Sequence, residues 1–233
     1  MGDAVVKKNI PTGVSDIVIF VHGFGVRWDS RGMFTDIKKY LPPEWGSVLF
    51  DLYEVKNNEV YVSSYKDQIE QLNKIIDKVS KNNPNIKIHI IAHSMGCTIT
   101  ASAEVSAANG KIIFLAPAEL FGSKMEKYFE EYPGVIKNDK ELIIHRKDGT
   151  KTHIPIGFFS EIRNIDPQEE ILKLSKNHMI DIVQTKKDEV IGETAYKDLR
   201  NSDNISFQSI ESDHNFTGAN REKLLTKVGE MLK

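Results

Sequence analysis

The sequence predicts an α/β fold in which a mostly parallel central sheet is flanked by helices. Three observations carry that expectation. Short apolar, β-branched runs alternate with longer runs of helical periodicity. Most of the short runs are apolar at every position, as in strands buried on both faces. With 233 residues, 40% of them hydrophobic, the chain can bury a substantial core.

The elements follow in order. Residues 17–21 (Ile-Val-Ile-Phe-Val) form the first strong strand candidate, and residues 33–40 a short helix stopped by Pro42-Pro43. Residues 48–50 are a second strand. Tyr65, Ile69, Leu72, Ile76 and Val79 then recur at spacings of three and four, which places them on one helix face. Ser64 is positioned to cap that helix, and Asn82-Asn83-Pro84 ends it. Strands are expected at 86–91, 112–115, 179–183 and 205–210, a small-residue helix at 97–108, and a C-terminal amphipathic helix on Leu224, Leu225, Val228 and Leu232. Strands alternating with helices imply right-handed crossovers that cover the sheet on both sides.

One stretch breaks the rhythm. Residues 117–177 are richer in charge and aromatics, and they are expected to form an insertion between core segments 1–116 and 178–233. Within it, 142–145 and 152–156 read as a β-hairpin with Asp148-Gly149 at the turn. A helix is expected on each side of it, at 123–132 and 167–175.

Lys and Arg number 31 against 33 Asp and Glu, a formal net charge of −2, which gives no support to nucleic-acid binding. The charges are mixed, so no polybasic membrane anchor is expected. The single cysteine, Cys97, excludes an intrachain disulfide and a thiolate metal cluster. The N-terminus lacks a long apolar h-region, and no run reaches the ~18 apolar residues of a membrane span. A cytoplasmic protein, monomer or homodimer, is the expectation.

The most informative residues are Ile90-Ile91-Ala92-His93-Ser94-Met95-Gly96, an apolar strand running straight into small-x-Ser-x-Gly and then a helix. A nucleophile elbow requires that context. The turn is so tight that residues two before and two after the serine must be small, and Ala92 and Gly96 are. Ser94 would then stand at the positive end of the following helix. Five residues alone are a weak signal, since a serine in an ordinary strand-to-helix turn looks similar; the flanking elements strengthen it.

A nucleophilic serine needs donors for the charge that develops on the substrate oxygen. Val21-His22-Gly23-Phe24-Gly25, after the first strong strand, resembles the His-Gly-x-Gly turn of lipases and esterases. That likeness implies an oxyanion hole formed by the Phe24 and Met95 backbone N–H groups, with His22 bracing the loop.

In an elbow of this kind the acid and then the histidine follow the serine along the chain. His22, His89 and His93 precede Ser94, His145 and His153 lie in the insertion, and His178 opens a strand. His214 remains as base, after the last strand and before the last helix. Asp188 is the expected acid, just beyond the strand at 179–183 and leading the string Asp188-Glu189-Val190-Ile191. Glu189 is the nearest rival. Asp213 is a poorer one, because sequence neighbours tend to point apart.

On these motifs the chain resembles the α/β-hydrolase superfamily, and within it the small capped carboxylesterases, including feruloyl and cinnamoyl esterases and monoacylglycerol lipases. The Ala-His-Ser-Met-Gly elbow also occurs in small lidless lipases, but the long insertion argues against that subgroup. The resemblance implies ester hydrolysis of small or medium acyl or aryl substrates through an acyl-enzyme on Ser94. It implies no metal or organic cofactor, and a cap inserted after the family's sixth strand. Thioester, amide or C–C bond cleavage by the same triad stays open, as does a non-catalytic ligand-binding module. Phe121, Tyr128, Phe129, Phe158 and Phe159 have two roles open to them: lining a substrate pocket, or forming the insertion's own core. Arg27 and Trp28 are candidates for the pocket border. Many relatives carry Asp-x-x-Gly where this chain has Asp51-Leu52-Tyr53-Glu54.

Overall fold

Every strand expected for the core joins one sheet. A computed structural model describes residues 6–119, 121–146, 149–188 and 196–233. The chain runs β1 (Val6–Asn9), β2 (Asp16–Val21), α1 (Met33–Lys39), β3 (Gly46–Phe50), β4 (Glu54–Lys56), β5 (Glu59–Tyr61), α2 (Tyr65–Asn82), β6 (Lys87–His93), α3 (Met95–Ala101) and β7 (Ile112–Leu115). It continues through α4 (Gly122–Glu130), β8 (Ile136–Lys137), β9 (Glu141–His145), β10 (Lys151–Pro155), α5 (Ile156–Ile162), α6 (Pro167–Ser175), β11 (Ile180–Thr185), β12 (Ile205–Ile210) and α7 (Asn220–Met231).

The main sheet has the order β1-β3-β2-β6-β7-β11-β12. All of its pairings are parallel except that of β1, an antiparallel edge strand on β3. Alternate residues of β2 show why its strands are apolar throughout. Ile17, Ile19 and Val21 pack with α2 and α3 on one face. Val18 and Phe20 pack with Met33, Phe34 and Ile37 of α1 and Leu224, Leu225 and Val228 of α7 on the other. Each such side chain contributes roughly 1.5–3 kcal/mol when buried.

The α2 helix forms as its sequence dictates. Ser64 Oγ accepts a hydrogen bond from the Asp67 N–H at 3.0 Å, Asp67 faces the positive end, and Leu72, Ile76 and Val79 bury the apolar stripe. The helix after Ser94 is shorter than expected, ending at Ala101 rather than near Ala108. Three β-branched residues, Thr98-Ile99-Thr100, weaken it. Beyond it, side chains take the backbone donors: Asn73 Oδ1 accepts from Glu104 N–H, and Glu104 Oε1 from Ser106 N–H.

The hairpin pairs β9 with β10 antiparallel, and a residue of its expected turn, Asp148, lies outside the described residues. The hairpin belongs to a second sheet of order β4-β5-β10-β9-β8. Two of those strands come from residues 54–61, far upstream of the 117–177 stretch, and β5 pairs with β10 in parallel. The Tyr53-Glu54 segment, where the sequence departs from an Asp-x-x-Gly turn, thus leads into this sheet. No helix among the described residues is long and apolar enough to cross a membrane.

Candidate active site

The four loops singled out in the sequence all leave the carboxyl ends of parallel strands: Gly23-Phe24 after β2, Ser94 after β6, Asp188 after β11 and His214 after β12. Open α/β sheets gather ligands at that edge.

Ser94 has φ 54° and ψ −126°, a strained conformation for a residue with a side chain. Packing holds it there. A Cβ on Gly96 would lie 2.4 Å from the Val21 carbonyl oxygen and 2.6 Å from that of His22, so α3 can approach β2 this closely only with glycine at 96. Gly23 packs against Ser94 in the same way, its hypothetical Cβ 3.0 Å from Ser94 Cβ.

Ser94, His214 and Asp188 lie in one hydrogen-bonded line. His214 Nε2 is 2.9 Å from Ser94 Oγ, and His214 Nδ1 is 2.9 Å from Asp188 Oδ2. A carboxylate can only accept, so Nδ1 carries the proton and Nε2 accepts from the serine hydroxyl. Asp188 Oδ2 also accepts from Thr185 Oγ1 at the end of β11. All three side chains are buried, with Ser94 9% exposed. The rival acid Asp213 accepts instead from the N–H and hydroxyl of Thr217, closing the loop that carries His214. The other rival, Glu189, and Val190-Ile191 lie outside the described residues.

Two further histidines brace these loops. His22 Nε2 accepts from Leu52 N–H at 2.9 Å, so its Nδ1–H donates to the Gly23 carbonyl. Tyr53 adds its hydroxyl, which donates to the Gly23 carbonyl at 2.9 Å and accepts from Gly25 N–H at 2.7 Å. The turn before Phe24 is therefore pinned from two directions. His93 Nε2–H donates to the His214 carbonyl at 3.0 Å, leaving Nδ1 to accept from Ser30 Oγ at 3.2 Å. Arg221 fixes the same loop through the carbonyls of Asn215 and Phe216. Sequence reading assigned the bracing role to His22 but to neither His93 nor Tyr53; bracing bonds depend on approach in space and leave no spacing signal. The remaining core histidine, His89, pairs with Asp16, which begins β2.

Burial holds His22 neutral, its pKa lowered to about 4, and burial followed by the nearby His214 lowers His93 to about 3. The unfolded chain therefore binds more protons than the native one below the ordinary histidine value of 6.5. Asp51 opposes this. Its carboxylate accepts from Trp28 N–H, but burial raises its pKa to about 6, so acid relieves a cost there. Two histidines outweigh one aspartate: between pH 7 and pH 5 the fold is expected to lose about 2 kcal/mol. Urea unfolding at the two values measures it, and equal stability at both would contradict neutral, buried His22 and His93.

Phe24 N–H has no partner among the described residues, and Met95 N–H heads α3, where no intrahelical acceptor exists. Both residues line a cleft of about 140 Å³ that also contains Ser94 and His214. Its other walls include Val26, Ala118, Met125, Tyr128 and Phe129, together with Arg31 and Arg146. Of the five aromatics singled out between residues 117 and 177, Tyr128 and Phe129 line this cleft; Phe129 is also buried in the core, as are Phe121, Phe158 and Phe159. Arg27 and Trp28 do not line it; Arg27 borders a neighbouring hollow with Arg31 and Asp29. Cys97 is fully buried behind the elbow, and burial raises its thiol pKa well above the usual value. Among the described residues no group of three or more His, Cys, Asp or Glu is arranged to hold a metal ion.

This architecture is the α/β-hydrolase fold, with a mixed sheet flanked by helices. The family model described as "alpha/beta hydrolase of unknown function (DUF900)" matches residues 3–118, which include the Phe24 turn and the Ser94 elbow. Est1E from Butyrivibrio proteoclasticus, solved with ferulic acid bound, superposes with a TM-score of 0.74 at 16% identity, over 97% of this chain and 93% of its own. The α/β hydrolase GrgF from Penicillium sp. sh18 gives 0.71 at 13% identity, over 97% and 92%. A lipase-esterase related protein from Clostridium acetobutylicum ATCC 824 gives 0.67 at 15%, over 98% and 99%. No curated protein matches the chain.

Proposed function

We propose that the protein is a serine hydrolase that cleaves carboxylic esters of small substrates through an acyl-enzyme on Ser94. The observation that carries this reading is the line Ser94–His214–Asp188, with both links at 2.9 Å, at the mouth of a cleft that Phe24 and Met95 also line. Its likeness in fold to esterases of known structure supports it. Size supports a small substrate, since about 140 Å³ is close to the ~150 Å³ of a cavity that holds benzene.

In this mechanism His214 Nε2 takes the Ser94 proton as Oγ attacks the ester carbonyl. The new C–O bond leaves the carbonyl oxygen negative, and the N–H groups of Phe24 and Met95 donate to it. Asp188 keeps the Nδ1 proton in place and stabilises the imidazolium. The tetrahedral species collapses, the ester C–O bond breaks, and His214 protonates the departing alcohol. Water, deprotonated by His214, then attacks the acyl-enzyme; the acid leaves and Ser94 recovers its proton.

A fluorophosphonate probe is expected to label the protein at Ser94, located by peptide mass spectrometry, and to leave Ser94→Ala unlabelled. A folded wild-type protein that takes no label would remove the activated serine and with it this reading.

A further inference from the structure

Among the described residues, the lining of the cleft beside Ser94 carries two positive charges and no negative one. Among the residues that line it, Arg31 and Arg146 are cationic, and there is no aspartate or glutamate. Arg146, at the end of β9, is the more informative. Its guanidinium lies over the rings of Phe129 (5.6 Å) and Tyr132 (5.7 Å), and its Nε donates to Thr152 Oγ1 at 3.2 Å. Its Nη2 is buried with no hydrogen-bond partner among the described residues. No carboxylate among those residues pairs with Arg146 or with Arg31. Burial is the main cause that lowers the Arg146 pKa; the like-signed Arg31 lowers it further, while the phenols of Tyr132 and Tyr53 act to raise it.

A desolvated, unpaired guanidinium is costly, and a fold retains one readily where a ligand supplies the missing anion. Its position fits that use. A Cβ on Gly25 would lie 2.5 Å from Arg146 Nη2, so the unpartnered nitrogen rests against the oxyanion turn, one residue past Phe24. The planar fork matches the two oxygens of a carboxylate or phosphate. Apolar walls with fixed positive charge concentrate anions inside such a cleft.

We propose that the substrate is an ester bearing a second, anionic group, a carboxylate or a phosphate, which Arg146 binds from within the cleft and Arg31 attracts at its exposed rim. The proposal rests on the hydrolase reading above and narrows its substrate class.

Two matched pairs test it in a pH-stat. Monomethyl glutarate is set against methyl 4-carbamoylbutanoate, which differs in charge but hardly in shape, and 2-acetoxyethyl phosphate against 2-acetoxyethanol. The wild type is expected to prefer the charged member of at least one pair by about 10-fold or more in kcat/KM, the energy of a charge-assisted hydrogen bond. The preferred pair identifies carboxylate or phosphate as the anion. The ratio is expected to fall towards one in Arg146→Gln, to fall partly in Arg31→Gln and to persist in Arg146→Lys. An arginine that merely anchored the hairpin would change both members of a pair alike. Should Arg146→Gln not fold, Arg31→Gln and added salt give the same information: the preference is expected to shrink between about 0.05 and 0.5 M NaCl. A wild-type ratio near one for both pairs overturns the proposal, as does a preference that survives Arg146→Gln or is indifferent to salt. Failure of the hydrolase reading looks different: neither member of any pair turns over and Ser94 takes no probe.

Discussion

Replacing His214 by alanine is expected to lower kcat on a small ester by about 10⁴- to 10⁶-fold, while the melting temperature changes by a few degrees at most. The imidazole is the only base within hydrogen-bond reach of Ser94 Oγ among the described residues, at 2.9 Å. Its neighbour His93 cannot substitute. The His93 Nε2–H is committed to the His214 carbonyl and its Nδ1 to Ser30, and burial holds its pKa near 3. Because the proposed mechanism has serine and histidine act in one step, Ser94→Ala/His214→Ala is expected to be no slower than either single variant. Asp188→Asn is expected to cost about 10⁴-fold, since an amide donating to Nδ1 would select the wrong tautomer. Multiplicative losses in the double variant would contradict a common step, and a His214→Ala enzyme with near wild-type kcat would remove His214 as base.

Gly96→Ala is expected to produce the largest structural effect of any one-carbon change near the site. The added methyl would meet the carbonyl oxygens of Val21 and His22 at 2.4 and 2.6 Å, and both belong to backbone that leads from a central strand. No side chain can rotate away, so α3 must move off β2. Overpacking of this kind costs about 3 kcal/mol, or roughly 10 °C in Tm for a chain of this size. Displacing α3 also moves Met95 N–H and the Ser94 hydroxyl, so activity is expected to fall further than stability alone accounts for. Gly157→Ala is the control: Gly157 is an exposed helical glycine with nothing within 4 Å of its hypothetical Cβ, and the change is expected to be neutral or slightly stabilising. Equal melting temperatures and rates for wild type and Gly96→Ala would show that the contact between α3 and β2 is not what limits position 96.

The sequence alone determined the parallel strands of the main sheet and the linear order of the candidate site residues. Strands buried on two faces must be apolar throughout, and a turn as tight as the one at Ser94 admits only small neighbours, so Ile17 to Val21 and Ala92 to Gly96 carry their structure in their composition. The tertiary structure decided what depends on distance between remote segments. The β4-β5 hairpin is short and charged and has no amphipathic pattern of its own; it is a strand pair because β10 offers an edge to it. The helix after Ser94 does not run on past Ala101 to Ala108: the remote Asn73 side chain takes the Glu104 N–H, and the Glu104 side chain takes that of Ser106. Of the five aromatics singled out between residues 117 and 177, packing put Tyr128 and Phe129 on the cleft wall and buried Phe129 with Phe121, Phe158 and Phe159 in the core, although their local sequences do not differ in kind. Arg146 reads in sequence as one more charge beside a hairpin turn. Only the fold brings it against Gly25 and Phe129 with no counter-ion among the described residues, because the pairing of charges is set by three-dimensional neighbours and not by spacing along the chain.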